Sequence, residues 1–134
     1  MNLVFADTGG FYALADRGDP AHSRARNFIE DCEAVLLTTD FVFAETMSLL
    51  TKRLGKDIAV TFGQALRSSS SVRIEEAPFE VRESAWRLFA LHRDKDYDLI
   101  DCISFSMMEK FRLREAFGFD RHFVQHGFLL LPHE

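Results

Sequence analysis

Apolar positions along this chain fall into two alternating kinds of run. Short apolar runs read as buried strands at residues 2–6, 34–37, 116–119 and 128–131, and the alternating Val72-Arg73-Ile74-Glu75 reads as a further strand. Between them lie longer stretches with apolar residues at helical spacing. The first is a short helix through Phe11, Tyr12, Ala13 and Leu14, after a loop at 7–10. A second starts at Asp19-Pro20, with Asp as N-cap and Pro in the first turn, and runs to about Cys32 with Ala25, Phe28 and Ile29 inward. Thr39 or Asp40 caps a third, which ends at Leu54 because Gly55 follows. A fourth spans about 56–68, before the serine loop 68–71. Pro78 opens a fifth, carrying Val81, Ala85, Trp86, Leu88 and Phe89. After the polar loop 92–97, the last runs from about Leu99 to Phe111.

Strand and helix in alternation predict an α/β fold with a central, mostly parallel β-sheet flanked by helices. Continuously apolar strands fit a sheet covered on both faces. Such sheets bind ligands at the carboxyl ends of their strands. Asp7 and Asp120 each end an apolar strand, so both are expected at that edge.

Two further acids stand in equally apolar surroundings. Glu45 is the only charge in 41–50, and Asp101 sits among Ile100, Cys102, Ile103, Phe105, Met107 and Met108. Both helices are expected to be central and buried. An unpartnered buried carboxylate costs several kcal/mol, so each acid must be paired, protonated or bound to metal. Any one of them could pair with an arginine or cap a helix. One explanation covers all four: Asp7, Glu45, Asp101 and Asp120 converge and share divalent cations. Oxygen-only donors favour Mg²⁺ or Mn²⁺, and such ions suit phosphodiester hydrolysis. Asp98, three residues before Asp101, reads first as the N-cap of its helix and second as a holder of metal or metal-bound water. None of the five His has a usable metal-ligand spacing.

Composition changes this picture little. A chain of 134 residues, 47% hydrophobic and with 14 Phe, is expected to form one domain over 1–134 with a real core. The net charge of −5 does not suggest a general nucleic-acid binder. Two divalent ions would bring −5 + 4 to about −1, so a phosphate-bearing substrate is not excluded. Cys32 and Cys102 lack metal or redox spacing, the N-terminus has no signal-peptide character, and no stretch approaches the roughly 18 apolar residues of a membrane span. A reduced, cytoplasmic protein is expected.

The segments 4–8, 40–46, 97–105 and 119–123, in this order, resemble the PIN-domain ribonucleases, and closely the VapC-type toxins of toxin–antitoxin pairs. The resemblance implies an Mg²⁺- or Mn²⁺-dependent endoribonuclease with Asp7, Glu45, Asp101 and Asp120 as its acidic site. It also implies an RNA substrate such as tRNA, a small antitoxin that blocks the site, and a homodimer. Two positions depart from the family's pattern. Position 98 is more often Ser or Thr in these toxins, and position 119 is often a small hydroxyl residue where this chain has Phe119.

Arg121 and His122 directly follow Asp120 and are the best candidates for substrate phosphate, and Thr8 for a hydroxyl donated to Asp7 or to a ligand. Other basic clusters are Lys52-Arg53 with Lys56, Arg24 with Arg26, and Arg112 with Arg114, each also readable as a solvated face. Phe11, Tyr12, Phe41, Phe43 and Phe62 could line a groove for an antitoxin segment or simply fill the core. Competing readings are a PIN-type nuclease acting on other RNA or DNA without an antitoxin, and a non-catalytic binding module. A receiver-like phosphate switch fits poorly, because Leu37 is followed by Thr38-Thr39-Asp40 and no Lys follows the late strands.

Overall fold

Leu3–Ala6 forms β1, an apolar strand with sheet neighbours on both sides. The computed structural model describes residues 2–133. The elements that follow are α1 (Thr8–Ala15), α2 (His22–Asp31), β2 (Val35–Thr39), α3 (Asp40–Leu54), α4 (Lys56–Ser68) and β3 (Val72–Glu75). Then come α5 (Phe79–Leu91), α6 (Leu99–Lys110), β4 (Glu115–Phe117), α7 (His122–Gln125) and β5 (Leu129–Leu131). The sheet order is β3-β2-β1-β4-β5 and every pairing is parallel. The chain builds outward from β1 on one side, then crosses back to build β4 and β5 on the other. The switch point therefore lies between β1 and β4, where parallel α/β sheets open a crevice at their carboxyl ends.

Helices cover both faces, and the core is rich in fully buried aromatics: Phe5, Phe11, Phe105, Phe117 and Phe123. Phe28 stacks on Phe117 at 5.1 Å, tying α2 to β4. Phe105 of α6 packs edge-on against Phe123 of α7 at 5.0 Å and flat against His126 at 4.5 Å. These contacts anchor the segment after β4 onto α6. Among the described residues, no helix is long and apolar enough to cross a membrane.

Local signals set several boundaries as expected. Thr39 caps α3 by accepting from the Val42 amide at 3.1 Å, and Gly55 ends that helix at φ 100. Elsewhere tertiary packing shifts them. Gly9 and Gly10 belong to α1 rather than to a loop, because α1 presses against β4. A Cβ at Gly10 would lie 2.7 Å from the Phe117 carbonyl oxygen. Helix α2 starts at His22, not at Asp19-Pro20, since the Asp19 carboxylate accepts from the Ala21 amide in a turn ahead of the helix. The strand expected at 116–119 stops at Phe117, and a four-residue helix, α7, follows Asp120 and Arg121.

The helix carrying Glu45 is also less enclosed than its composition suggested. Only the stripe Val42, Thr46 and Leu50 is buried, while Phe41, Phe43, Met47 and Leu49 are half-exposed. Helix α6 does run through the interior, buried continuously from Asp101 to Met108. Within it, the Ser104 hydroxyl is buried without a hydrogen-bond partner.

Two substitutions separate packing from propensity. Ala for a helical Gly ordinarily stabilises by up to about 1 kcal/mol. At Gly10 the added methyl meets a backbone carbonyl, and Gly10→Ala is expected to destabilise by about 1–3 kcal/mol in urea unfolding. Ser104→Ala is expected to raise stability by about 1 kcal/mol, since it removes an unsatisfied buried hydroxyl.

Candidate active site

Asp7 is the residue between β1 and α1, placed at the N-cap of α1 with extended backbone angles. Its amide donates to the Phe117 carbonyl at 3.0 Å, extending the β1–β4 ladder by one rung. Its carbonyl accepts from the Gly10 and Phe11 amides. Its side chain, however, makes no capping hydrogen bond, and Asp7 is only 6% exposed. The neighbouring Gly118 leaves room for it: a Cβ there would lie 3.2 Å from the Asp7 Cβ. A carboxylate is thus delivered to the crevice, desolvated, with only the Thr8 amide of its own helix acting on it.

Asp101 arrives from α6. It is the third residue of that helix and forms a reciprocal capping box with Asp98. The Asp101 amide donates to Asp98 Oδ1 at 2.7 Å, and the Asp98 amide donates to Asp101 Oδ2 at 3.1 Å. Asp98 therefore holds the helix end, as its first reading expected. His122, at the start of α7, donates through Nδ1 to the same Asp101 Oδ2 at 2.9 Å and lies 3.4 Å from Asp120 Oδ1. Asp120 also accepts from the His122 amide at 2.9 Å. Asp101, Asp120 and His122 each offer a ligand atom within 4.8 Å of the others.

Glu45 approaches from α3, where the buried Thr8 donates its hydroxyl to Glu45 Oε1. The Thr8 hydroxyl serves neither Asp7 nor open solvent: it holds the flexible Glu45 side chain. Glu45, Asp101 and Asp120 all act electrostatically on Asp7. Four acids from four separate segments therefore share one region at the carboxyl edge of β1 and β4. Arg121 is exposed beside Asp120.

His122 is the surprise of this arrangement. Read from sequence as a phosphate contact without metal spacing, it also pairs through Nδ1 with Asp101, 21 positions away. Only its nearness to Asp120 in the chain could have signalled this. Phe11 and Tyr12 prove to be core, while Phe41, Phe43 and Phe62 are half-buried at the periphery. Cys102, next to Asp101, is buried and burial pushes its thiol up to about 11, so it stays protonated and inert.

The electrostatics match a site built for a cation. Burial raises the Asp7 carboxyl to about 7, opposed by the Thr8 amide and reinforced by the charges of Asp101, Asp120 and Glu45. Burial and the Asp98 charge raise Asp101 to about 6. Burial pulls His122 down, but the Asp101 hydrogen bond and the Asp120 and Asp101 charges outweigh it, so the imidazole is raised overall. Carboxylates that hold protons near neutrality for want of positive charge are suited to exchange those protons for a divalent ion. Among the described residues, Asp101, Asp120 and His122 stand close enough together to hold such an ion, with Asp7 and Glu45 in electrostatic reach of one another nearby.

Without metal these shifts act in one direction on stability. Asp7 and Asp101 bind protons more tightly folded than unfolded, so their protonated forms favour the native state, and that advantage is lost as pH rises through the folded values. The raised His122 likewise contributes below its ordinary pKa and loses its contribution above the folded one. In EDTA the protein is expected to lose stability from about pH 4 to above pH 7 from these groups. At about 1.4 kcal/mol per pKa unit, Asp7 alone accounts for a few kcal/mol. Asp7→Asn in EDTA should therefore melt at a higher temperature than the parent at pH 8, with little difference at pH 4. An unchanged melting temperature at pH 8 would count against a strained, buried Asp7 carboxylate.

A PIN-domain family model matches residues 4–129 of the chain. The 23S rRNA-specific endonuclease VapC20 of Mycobacterium tuberculosis is 33% identical over 127 residues, covering 95% of this chain and 96% of the relative, in both strain CDC 1551 / Oshkosh and strain H37Rv. The crystal structure of M. tuberculosis VapC20, described as a Sarcin-Ricin loop cleaving toxin, superposes with a TM-score of 0.89 at 32% identity, covering 94% of this chain and 96% of that one. By sequence along nearly its whole length, and by a fold that brings its acids to one sheet edge, the chain belongs to the PIN-domain family and, within it, to the VapC-type endonucleases.

Proposed function

We propose that this protein is a metal-dependent endoribonuclease that hydrolyses phosphodiester bonds in structured RNA, and that it is the toxin of a toxin–antitoxin pair acting in the cytoplasm. The observation that supports this reading is the grouping of Asp101, Asp120 and His122 within 4.8 Å of one another, close enough to Asp7 at the switch point of the sheet, together with Glu45, for their charges to act on it. Asp7, Glu45, Asp101 and Asp120 would hold Mg²⁺ or Mn²⁺. Such an ion supplies Lewis-acid chemistry, polarising a phosphoryl oxygen and easing deprotonation of water.

The chain's own residues supply placement. Thr8 fixes Glu45 by one hydrogen bond, and His122 fixes Asp101 through Nδ1. Capping by Asp98 sets the angle at which Asp101 leaves its helix. Arg121 takes a neighbouring phosphate. The 23S rRNA loop cut by the relative makes a ribosomal RNA loop the first substrate to test, with tRNA second. An antitoxin would silence the enzyme most directly by reaching an arginine into the carboxylates. The apolar cleft between α1 and α4, lined by Leu14, Ala15, Ile58 and Phe62, suits the body of such a partner. Exposed Phe79, Trp86 and Leu91 along α5 suit pairing of two copies as a homodimer.

Purified protein incubated with a ribosomal RNA loop, tRNA, mRNA and single-stranded DNA, in Mg²⁺, Mn²⁺ or EDTA, tests the central reading. Cutting of RNA is expected with metal and not in EDTA. Asp7→Asn and Glu45→Gln should each reduce it by more than about a hundredfold, whereas His122→Gln should fall within the roughly 10–100-fold range of groups that orient ligands. Cutting confined to DNA would favour the alternative nuclease, and no cutting in any metal would sink the catalytic reading. For the inhibitor, an antitoxin that blocks cleavage equally well after all its Arg are changed to Gln would rule out the arginine device.

A further inference from the structure

Past Asp120 the chain forms one wall of a second concavity beside the carboxylates. Arg24 of α2, Gly118, Phe119 and Arg121 line it, with Val124, Leu130, Pro132 and His133 on the remaining wall. The Arg24 guanidinium lies over the Phe119 ring, 5.4 Å from its centroid. Phe119 is half-buried, with one side packed on the core. Among the described residues, neither Arg24 nor Arg121 has a carboxylate partner, and the ion pairs involve Arg26, Arg73, Lys110 and His122 instead.

The concavity adjoins the acidic site directly. Gly118 belongs to its lining and its Cβ position is 3.2 Å from the Asp7 Cβ. Phe119 and Arg121 flank Asp120 in the chain. Three properties thus coincide: a planar cation on an aromatic ring, a second cation without a salt-bridge partner, and a position beside Asp7 and Asp120. Planar guanidinium and aromatic surfaces are what unpaired RNA bases stack on, and uncompensated arginines take phosphates.

We propose that Arg24, Phe119 and Arg121 form a nucleotide subsite that holds one unpaired base of the RNA substrate beside the scissile phosphate. The base stacks on the Arg24–Phe119 pair and Arg121 binds an adjoining phosphate. This rests on the nuclease reading above and adds to it: the enzyme selects RNA whose bases are free to leave the stack, such as a loop, over a continuous duplex. Stacking tolerates any base, so the subsite reads exposure of a base more than its identity.

The test uses a fluorescent RNA hairpin, with binding read by anisotropy in Mg²⁺ against the cleavage-silent Asp7→Asn protein, and cleavage read in the otherwise unaltered protein. Phe119→Leu keeps the apolar bulk without the π face, Phe119→Tyr keeps the face, and Arg24→Lys keeps the charge without the plane. Phe119→Leu and Arg24→Lys are expected to weaken binding by about tenfold or more, with Phe119→Tyr close to the parent and melting temperatures unchanged. Arg121→Gln should flatten the dependence of log affinity on log salt by about 0.7. In a scan of single abasic positions, one position should bind parent and Phe119→Leu equally. If Phe119→Leu and Arg24→Lys bind and support cutting like the parent, the pair is only an intramolecular contact and the subsite is overturned while the nuclease stands. If the unaltered protein neither binds nor cuts RNA, both readings fall.

Discussion

Carboxylates brought together out of water repel one another, and every element near the sheet edge serves to hold that repulsion in place. β1 delivers Asp7 from the middle of the sheet, where hydrogen bonds to β2 and β4 leave the strand no freedom to retreat. Helix α1 packs onto β4 at Gly10, so the loop that carries Asp7 cannot swing away. Thr8 restrains Glu45, and His122 with the Asp98 cap restrains Asp101. The aromatic contacts of Phe105 with Phe123 and His126 pin α7, and with it His122, against α6. None of these restraints neutralises the site. They fix its members close together and leave the missing positive charge to be supplied from outside.

The local parts of this arrangement were legible in the chain, and the long-range parts were not. A charge in an apolar run is visible at once, which is why Asp7, Glu45, Asp101 and Asp120 could be singled out before any geometry was known. Thr39 and Gly55 act within one helical turn, so the ends of α3 could be read directly. The bond from Thr8 to Glu45 spans 37 positions, and that from His122 to Asp101 spans 21. No spacing rule reaches that far. Gly9 and Gly10 misled for a related reason: glycine signals a turn locally, but here its lack of a side chain answers the approach of a strand remote in sequence. The expected burial of α3 failed because its apolar residues exceed what one buried stripe can hold, and the surplus lies at the surface.

Charge is distributed in the same selective manner. The net charge is negative, and three of the basic side chains are paired with acids: Arg26 with Glu30, Arg73 with Glu75, Lys110 with Glu80. Arg53 lies over Tyr12, whose hydroxyl donates to Asp16. Affinity for a polyanion cannot come from a general positive field on such a molecule. It must come from the cations that stand nearest the site and from a bound metal.

The capping box at the start of α6 joins two structural duties in one side chain. Asp101 Oδ2 accepts from the Asp98 amide and from His122, and so helps to hold the first turn of the helix closed. Helix ends are ordinarily where native proteins open first, at little cost to the rest of the structure. Here fraying of that turn would carry a site carboxylate away with it. Closure of the first turn of α6 and an assembled acidic centre are therefore two views of one equilibrium, and the rate at which this turn opens sets a limit on how long the centre stays intact.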